Sequence, residues 1–165
     1  MKMNFKTNAT RILENAKVSH TAHHYESNDG QIDGISVATK MGQPFELVYK
    51  TLVTVSPQKV YYVFVIPVAE ELDLKAAARS VGEKSVEMIK VADINKITGY
   101  IRGGCSPIGM KKLYKTVIDS SAQALENFFV SAGKIGYQLE LSPKALAELI
   151  GADFCDIIIK NKRDY

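Results

Sequence analysis

The pattern of apolar and polar residues predicts five helices. In the first, positions 9, 12, 13 and 16 are apolar and share one helical face, with Thr7 or Asn8 as the N-cap. Two others begin with the capping residues Asp73 and Ser142, and four end at a glycine. The predicted helices are residues 8–16, 35–42, 72–82, 92–99 and 142–151.

Between these helices the pattern predicts strands. Segments 46–55 and 60–68 are rich in β-branched and aromatic residues and are apolar on both faces, which is typical of central strands. Because helices and strands are mixed without the regular alternation of a doubly wound sheet, we expect an α/β (α+β) fold with a mixed, barrel-like β-sheet flanked by helices. The other predicted strands are residues 20–26, 86–91, 100–104, 116–121, 127–133, 137–141 and 152–159.

Composition indicates a single globular domain over residues 1–165. Hydrophobic residues make up 46% of the chain and charged residues 24%, and the formal net charge of +3 permits contact with a polyanion without requiring one. The two cysteines, Cys105 and Cys155, lie far apart, so we expect reduced thiols in a cytoplasmic protein. The longest apolar stretch, residues 60–69, is too short to span a bilayer, so we expect no membrane partner.

Three histidines, His20, His23 and His24, cluster near the N-terminus. Their spacing on a strand does not place His20 and His23 on one face, and no cysteine is near them in the sequence. We therefore expect packed or solvated histidines, with no metal site and no cofactor.

Lys50 is unusual because it lies in the middle of a strand that is apolar on both faces. Alternation places it on the same face as Val48 and Leu52. Such a lysine reaches the edge of the sheet, extends its ammonium to solvent, or serves chemistry; by pattern alone, extension to solvent is favoured. A partly desolvated ammonium is suited to holding a phosphate or carbonyl oxygen.

The segment GYIRGGCSPIGMKK, residues 99–112, matches neither of the two common glycine-rich phosphate-binding motifs. Gly103 and Gly104 would let backbone N–H groups approach a ligand, although the pattern alone favours an ordinary turn at the end of a strand. Cys105 has no histidine within about seventy residues to activate it, so a buried structural thiol is favoured over a nucleophile. Four nearby cations, Arg102, Lys111, Lys112 and Lys115, form a local basic patch, although a solvated charged face is the commoner explanation of such a run.

Six ordered blocks, from VYKTLV through FVSAGKIG to ALAELIGADFCDI, carry a family resemblance. The chain resembles the YbaK/EbsC family of free-standing relatives of the editing domain inserted in bacterial prolyl-tRNA synthetases, and the resemblance extends from the first helix to about residue 159. It implies hydrolysis of the ester of a mischarged tRNA, with cysteine on proline tRNA as the expected substrate and prolyl-tRNA synthetase as the expected partner. Such editing is needed because small apolar side chains differ too little to be separated at one site.

Three alternatives remain open beside this function. Other branches of the family clear alanine or other small amino acids, and a non-catalytic member would bind tRNA or a protein through the same pocket. A hydrolase that uses the Cys105 thiol is a third, minor alternative.

The resemblance also implies roles for individual residues. The four cations near the glycine-rich loop would bind the tRNA at its acceptor stem. Lys50 matches the lysine expected to contact the terminal adenosine phosphate or the substrate carbonyl, and the paired glycines Gly103 and Gly104 match the loop whose amides face the ester. Attack then comes from the thiol of the cysteinyl substrate or from a water activated by the terminal ribose hydroxyl. Further substrate-binding positions are Tyr25, Thr51, Ser131 and Gln138, of which Gln138 stands where many relatives have aspartate; Ile32 and Asp33 stand where many have a pocket aromatic.

Overall fold

The computed structural model describes residues 6–160, and within them the chain forms five α-helices and eight strands. The helices are α1 Asn8–Asn15, α2 Gly34–Lys40, α3 Leu74–Ser80, α4 Ile94–Thr98 and α5 Pro143–Ile150, with 3-10 turns at Phe45–Leu47, Val91–Asp93 and Ser120–Ala124. The strands are β1 Thr21–His24, β2 Tyr49–Val55, β3 Tyr61–Pro67, β4 Glu87–Met88, β5 Lys115–Asp119, β6 Phe128–Ser131, β7 Tyr137–Leu141 and β8 Asp153–Cys155.

The strands form two sheets. The larger has the order β4-β2-β3-β5-β8, with antiparallel pairing of β2 to β4 and β3 and parallel pairing of β5 to β3 and β8. The smaller is antiparallel, in the order β1-β7-β6. A parallel bridge between Val48 and Phe129 joins them where β2 begins. The prediction of a mixed α/β fold is therefore confirmed, but the expected barrel is not formed, because the strands divide between two sheets that do not close.

The helix starts follow from side-chain capping. Asp73 accepts hydrogen bonds from the backbone N–H groups of Lys75 and Ala76, and Ser142 accepts one from Ala145 ahead of the proline that begins α5. Asp33 caps α2 in the same way, through the N–H of Ser36. These side chains satisfy N–H groups that the first turn of a helix leaves without partners.

The prediction of a strand at residues 100–104 is wrong, because this segment is an irregular loop. Gly103 has φ +85°, a left-handed conformation that cannot continue a strand, and the N–H of Gly104 donates to the Ile101 carbonyl at 2.9 Å in a tight turn. The predicted final strand is also shorter than expected, since only Asp153–Cys155 pairs along β5.

The core lies on both faces of the larger sheet. One face packs with the smaller sheet, α1 and α5 around Phe128, Ile118 and Leu139, and the other face packs against α3 around Phe64 and Ile66. All five of these side chains are fully buried. Among residues 6–160, no helix is long and apolar enough to cross a membrane.

Candidate active site

A cavity of about 460 Å³ opens where the two sheets meet, beside the bridge from Val48 to Phe129. Three parts of the chain, distant in sequence, form its walls together with β2. These are the segment that leads into α2, the glycine-rich loop 99–112, and the facing ends of β6 and β7. The lining residues are Gly30, Ile32, Asp33, Gly34, Val37, Val48, Tyr49, Lys50, Thr51, Val68, Arg102, Gly103, Cys105, Ser131 and Gln138.

Lys50 and Thr51 come to the cavity from β2, at the end of the strand that lies closest to the smaller sheet. The Lys50 side chain is half-buried, and its backbone is held in register opposite the fully buried Ile66 of β3. A half-buried lysine packs its stem among apolar neighbours and keeps its cationic head toward open space, which here is the cavity that Lys50 lines. The wall position is suited to attracting an anionic or carbonyl oxygen.

Gly103 lines the cavity because the turn at Ile101–Gly104 brings it against Ile32. A Cβ on Gly103 would lie 2.5 Å from Cδ1 of Ile32, so no other residue fits without displacement. Among residues 6–160, the N–H groups of Gly103 and Cys105 have no hydrogen-bond partner, whereas the N–H of Gly104 is used by the turn. Two N–H groups without partners beside a cavity are the elements of an oxyanion-binding site.

Gly104 itself does not line the cavity. It is buried, and a Cβ there would lie 3.1 Å from the backbone nitrogen of Ile135. The glycine pair therefore divides in the structure: Gly103 faces the cavity, and Gly104 allows the loop to pack against residues 134 and 135.

Ser131 and Gln138 form a cross-strand pair on β6 and β7, and both face the cavity. The Ser131 hydroxyl accepts a hydrogen bond from the N–H of Gly133 at 3.1 Å. Gln138 is 6% exposed, and its Oε1 has no hydrogen-bond donor among residues 6–160. A buried acceptor without a donor is costly unless a ligand or solvent supplies one.

Cys105 also lines the cavity, a position that its sequence context did not indicate. Burial raises the pKa of its thiol to about 11, and a hydrogen bond with Thr98 only partly opposes this. A thiol with this pKa is protonated at neutral pH and is a poor nucleophile. Burial of the thiol therefore favours the structural interpretation of Cys105 over a nucleophilic one.

Asp33, in the segment that leads into α2, brings negative charge to the cavity. Hydrogen bonds from the hydroxyl and the backbone N–H of Ser36 lower the pKa of its carboxyl, so it is ionised at neutral pH. Lys50 and Arg102, which also line the cavity, supply positive charge. The cavity lining therefore carries charges of both signs.

Four other predicted site residues lie outside the cavity lining. Tyr25 is 3% exposed, and its N–H donates to the Gly136 carbonyl. Lys111 donates to the Lys96 carbonyl at 3.1 Å, and Lys115 pairs with Asp153. Lys112 lines a separate cavity of about 240 Å³ between α1, α5 and the loop before β5. Of the four cations predicted to bind tRNA, only Arg102 lines the main cavity.

His23 and His24 contact neighbouring side chains, whereas Nδ1 of His20 lies 2.8 Å from the Val18 carbonyl. Nε2 of His23 lies 2.9 Å from Oε1 of Glu140, and its ring meets the edge of Phe129. The His24 ring lies 5.0 Å from that of Tyr137. Within residues 6–160, no three His, Cys, Asp or Glu side chains are placed to hold a metal ion.

Residues 33–149 match the family described as the aminoacyl-tRNA editing domain. The chain belongs to this family. Members of the family act on aminoacyl-tRNA, and the matched residues include β2, the glycine-rich loop, and β6 and β7. The resemblance to the YbaK/EbsC family is thereby confirmed.

One curated relative, from Enterococcus faecalis, is 43% identical over 155 residues, which is 94% of this chain and 94% of that protein. It is provisionally named as a Cys-tRNA(Pro)/Cys-tRNA(Cys) deacylase, EbsC. Two solved structures share the fold. A hypothetical protein has a TM-score of 0.85 at 20% identity, over 93% of this chain and 100% of that one. A protein described provisionally as a trans-editing enzyme for prolyl tRNA synthetase has a TM-score of 0.80 at 21% identity, over 95% and 100%.

Proposed function

We propose that this aminoacyl-tRNA editing protein hydrolyses cysteine from mischarged proline tRNA. The observation that carries the proposal is the convergence of Lys50, the N–H groups of Gly103 and Cys105, and Gln138 on one cavity of about 460 Å³. The relative at 43% identity, provisionally named for the same substrate, supports it.

In the proposed reaction, the ester carbonyl oxygen accepts hydrogen bonds from the Gly103 and Cys105 N–H groups. These donors stabilise the negative charge that develops when the carbonyl carbon is attacked. Lys50 binds the terminal phosphate or the carbonyl oxygen and so fixes the orientation of the ester. Gln138 Oε1 accepts a hydrogen bond from the amino group, and the Asp33 carboxylate, which also lines the cavity, adds negative charge to attract it.

The nucleophile in this scheme comes from the substrate. The cysteinyl thiol loses its proton and its sulfur bonds to the carbonyl carbon; the ester C–O bond then breaks, and the ribose oxygen takes up a proton. Water hydrolyses the resulting thiolactone to free cysteine. For an amino acid without a thiol, a water beside the terminal ribose hydroxyl attacks instead. Neither route requires the thiol of Cys105 to ionise.

We further propose that tRNA selection is shared with a partner. The net charge of +3 is small, and Lys115 is paired with Asp153, so few cations remain near the cavity to hold the acceptor stem. Arg102 at the cavity, with Lys111 and Lys112 beyond it, supplies this contact. Association with prolyl-tRNA synthetase in the cytoplasm would supply the selectivity for proline tRNA.

A substrate panel tests the proposal. Purified protein is incubated with proline tRNA charged with cysteine, alanine or proline, with and without prolyl-tRNA synthetase, and release of the amino acid is followed. We expect cysteine to be released fastest and proline to be spared. Fast release of alanine with slow release of cysteine would show that the protein is a deacylase for alanyl-tRNA instead. Binding of all three without release would make it a non-catalytic member.

A further inference from the structure

Lys40, the last residue of α2, makes three hydrogen bonds with its ammonium group. Its Nζ donates to the Glu26 carbonyl at 2.7 Å, to Oδ1 of Asp29 at 2.7 Å and to the Gln31 carbonyl at 2.9 Å. An ammonium group has three N–H bonds, so each of them is used. The Lys40 side chain is only 19% exposed, although the loop it contacts lies at the surface.

All three acceptors belong to the loop that leads from β1 to α2. This loop, residues 26–31, has no strand or helix of its own. The hydrogen bonds within the loop join residues close in sequence, such as the bond from the N–H of Gly30 to the Ser27 carbonyl at 3.1 Å. Charge-assisted hydrogen bonds are stronger than neutral ones, so Lys40 is the main link between this loop and the body of the protein.

The loop ends where the cavity wall begins. Ile32 and Asp33 follow it directly, and both line the cavity, as does Gly30 within it. Ile32 is the residue that closes against Gly103, with its Cδ1 in the space that a Cβ would need. A shift of the loop therefore moves Ile32 relative to Gly103 and changes the width of the cavity.

We propose that Lys40 is a positioning residue that sets the size of the aminoacyl group the cavity accepts. It does so by holding residues 26–31 so that Ile32 stays against Gly103. The role in selectivity rests on the proposed function, whereas the anchoring of the loop does not. Lys40 does not line the cavity. It acts through Ile32, and its removal should loosen the size limit without removing any group that touches the ester.

The test compares Lys40→Met with the wild type. Methionine keeps the length of the apolar stem and removes the three donors. Lys75→Met is the matched control, because Lys75 is exposed at the start of α3, away from the cavity. Asp29→Asn removes one charged acceptor and leaves the two carbonyl contacts in place.

Two measurements are made on each variant. The first is hydrogen exchange of the peptide that covers residues 26–33. The second is binding of two non-hydrolysable amide analogues of aminoacyl-adenosine, one carrying alanine and one carrying leucine. Because the second readout is a ratio of two affinities, a uniform loss of stability does not change it. Deacylation of small and bulky aminoacyl-tRNAs then repeats the comparison with substrates.

We expect Lys40→Met to exchange about tenfold faster in residues 26–33, the factor that corresponds to the loss of about 1.4 kcal/mol. We expect the preference for alanyl over leucyl analogue to fall by a similar factor, about tenfold, and Asp29→Asn to change both in the same direction but less. Lys75→Met should match the wild type.

Unchanged exchange in Lys40→Met would overturn the anchoring. Faster exchange with an unchanged alanyl-to-leucyl ratio would overturn the role in selectivity. If the wild type binds neither analogue, the cavity is not the aminoacyl site, and this inference fails together with the proposed substrate. If it binds the analogues but releases no amino acid from tRNA, only the proposed hydrolysis fails.

Discussion

Ile32 occupies the space that a side chain on Gly103 would fill. A Cβ at Gly103 would lie 2.5 Å from Cδ1 and 3.1 Å from Cγ1 of Ile32, and the φ of Gly103 is +85°. The contact brings the loop before α2 and the glycine-rich loop together at the cavity. It explains why the first glycine of the pair is required by the fold as well as by any approach of the substrate.

Gly103→Ala should therefore lose both stability and activity. The left-handed conformation costs about 1–2 kcal/mol for alanine, and the overlap with Ile32 adds about 1–3 kcal/mol. Displacement of the loop N–H groups should lower the deacylation rate by about 10²-fold. Urea unfolding and single-turnover deacylation measure the two effects.

Gly82→Ala is the control for this substitution, because Gly82 has φ +75° and nothing within 4 Å of its Cβ position. It should show the conformational cost alone and keep its activity. Combining Gly103→Ala with Ile32→Ala should cost less than the sum of the single changes, since the second substitution removes the two nearest atoms, Cδ1 at 2.5 Å and Cγ1 at 3.1 Å. Strict additivity would show that the two residues are not in contact.

Lys50→Met should abolish most of the activity while leaving the fold intact. The half-buried stem is replaced by a side chain of similar length, and only the charge at the cavity wall is removed. Loss of one preorganised electrostatic contact corresponds to about 10²–10³ in rate. Single-turnover deacylation measures it, with Lys144→Met on the exposed face of α5 as the control. A loss of rate of no more than about twofold, far below that range, would show that Lys50 takes no part in the reaction.

Gln138→Met should change the stability of the protein and its affinity for substrate in opposite directions. It removes an acceptor that has no donor among residues 6–160 and keeps the volume of the side chain. We expect the variant to be more stable by about 1 kcal/mol, and its Tm to rise by about 2–4 °C. Substrate affinity should fall by about tenfold, the equivalent of one lost hydrogen bond.

Calorimetry and substrate titration give the two values for Gln138→Met. Gln58→Met, on the exposed turn between β2 and β3, should change neither. A Gln138→Met variant that is less stable and binds substrate normally would show that the amide has a structural role instead.

Cys105 should remain a protonated thiol until the pH is strongly alkaline. Burial raises its pKa to about 11, from an ordinary value of 9.0, so the folded state holds the proton more tightly than the unfolded state. The stability that this contributes is complete below pH 9 and is lost as the pH rises from about 9 to about 11. Alkylation of Cys105 at pH 8 should be about 100-fold slower in the native protein than in urea, the ratio of the thiolate fractions at the two pKa values.

Peptide mapping after iodoacetamide treatment measures this rate, and Cys155→Ser simplifies the assay to one thiol. Cys105→Ser should keep its deacylase activity, because the N–H of residue 105 is retained and the thiol is not ionised. Loss of activity in a folded Cys105→Ser protein would favour the thiol-dependent mechanism.

The local parts of the fold could be predicted from the sequence because their causes are local. Asp73 and Ser142 cap helices that begin where predicted, and the two apolar segments at 46–55 and 60–68 contain the paired strands β2 and β3. The segment 100–104 was predicted wrongly as a strand. Its side chains are typical of a strand, but a strand also needs a partner strand. The positive φ of Gly103 turns the chain before the segment can pair with one.

The cavity was predicted in part. Lys50 was found because a cation in a doubly apolar strand conflicts with its surroundings, and Gln138 and Ser131 were found through the family resemblance. Lys40 gave no signal at all, since a lysine at the end of a short helix is an ordinary surface residue by pattern. Only the folded chain shows that its three acceptors lie 9, 11 and 14 positions away in sequence.

The sequence by itself determined the helix caps, the central strands, the turn-forming glycines and the membership of an editing family, because each depends on neighbouring residues or on the order of motifs. The tertiary structure decided that two sheets meet without closing, that Gly103 and not Gly104 faces the cavity, and that Ile32 forms its wall. Those features depend on contacts between segments that are distant in the sequence. The pattern of side chains along one segment does not predict which other segment packs against it.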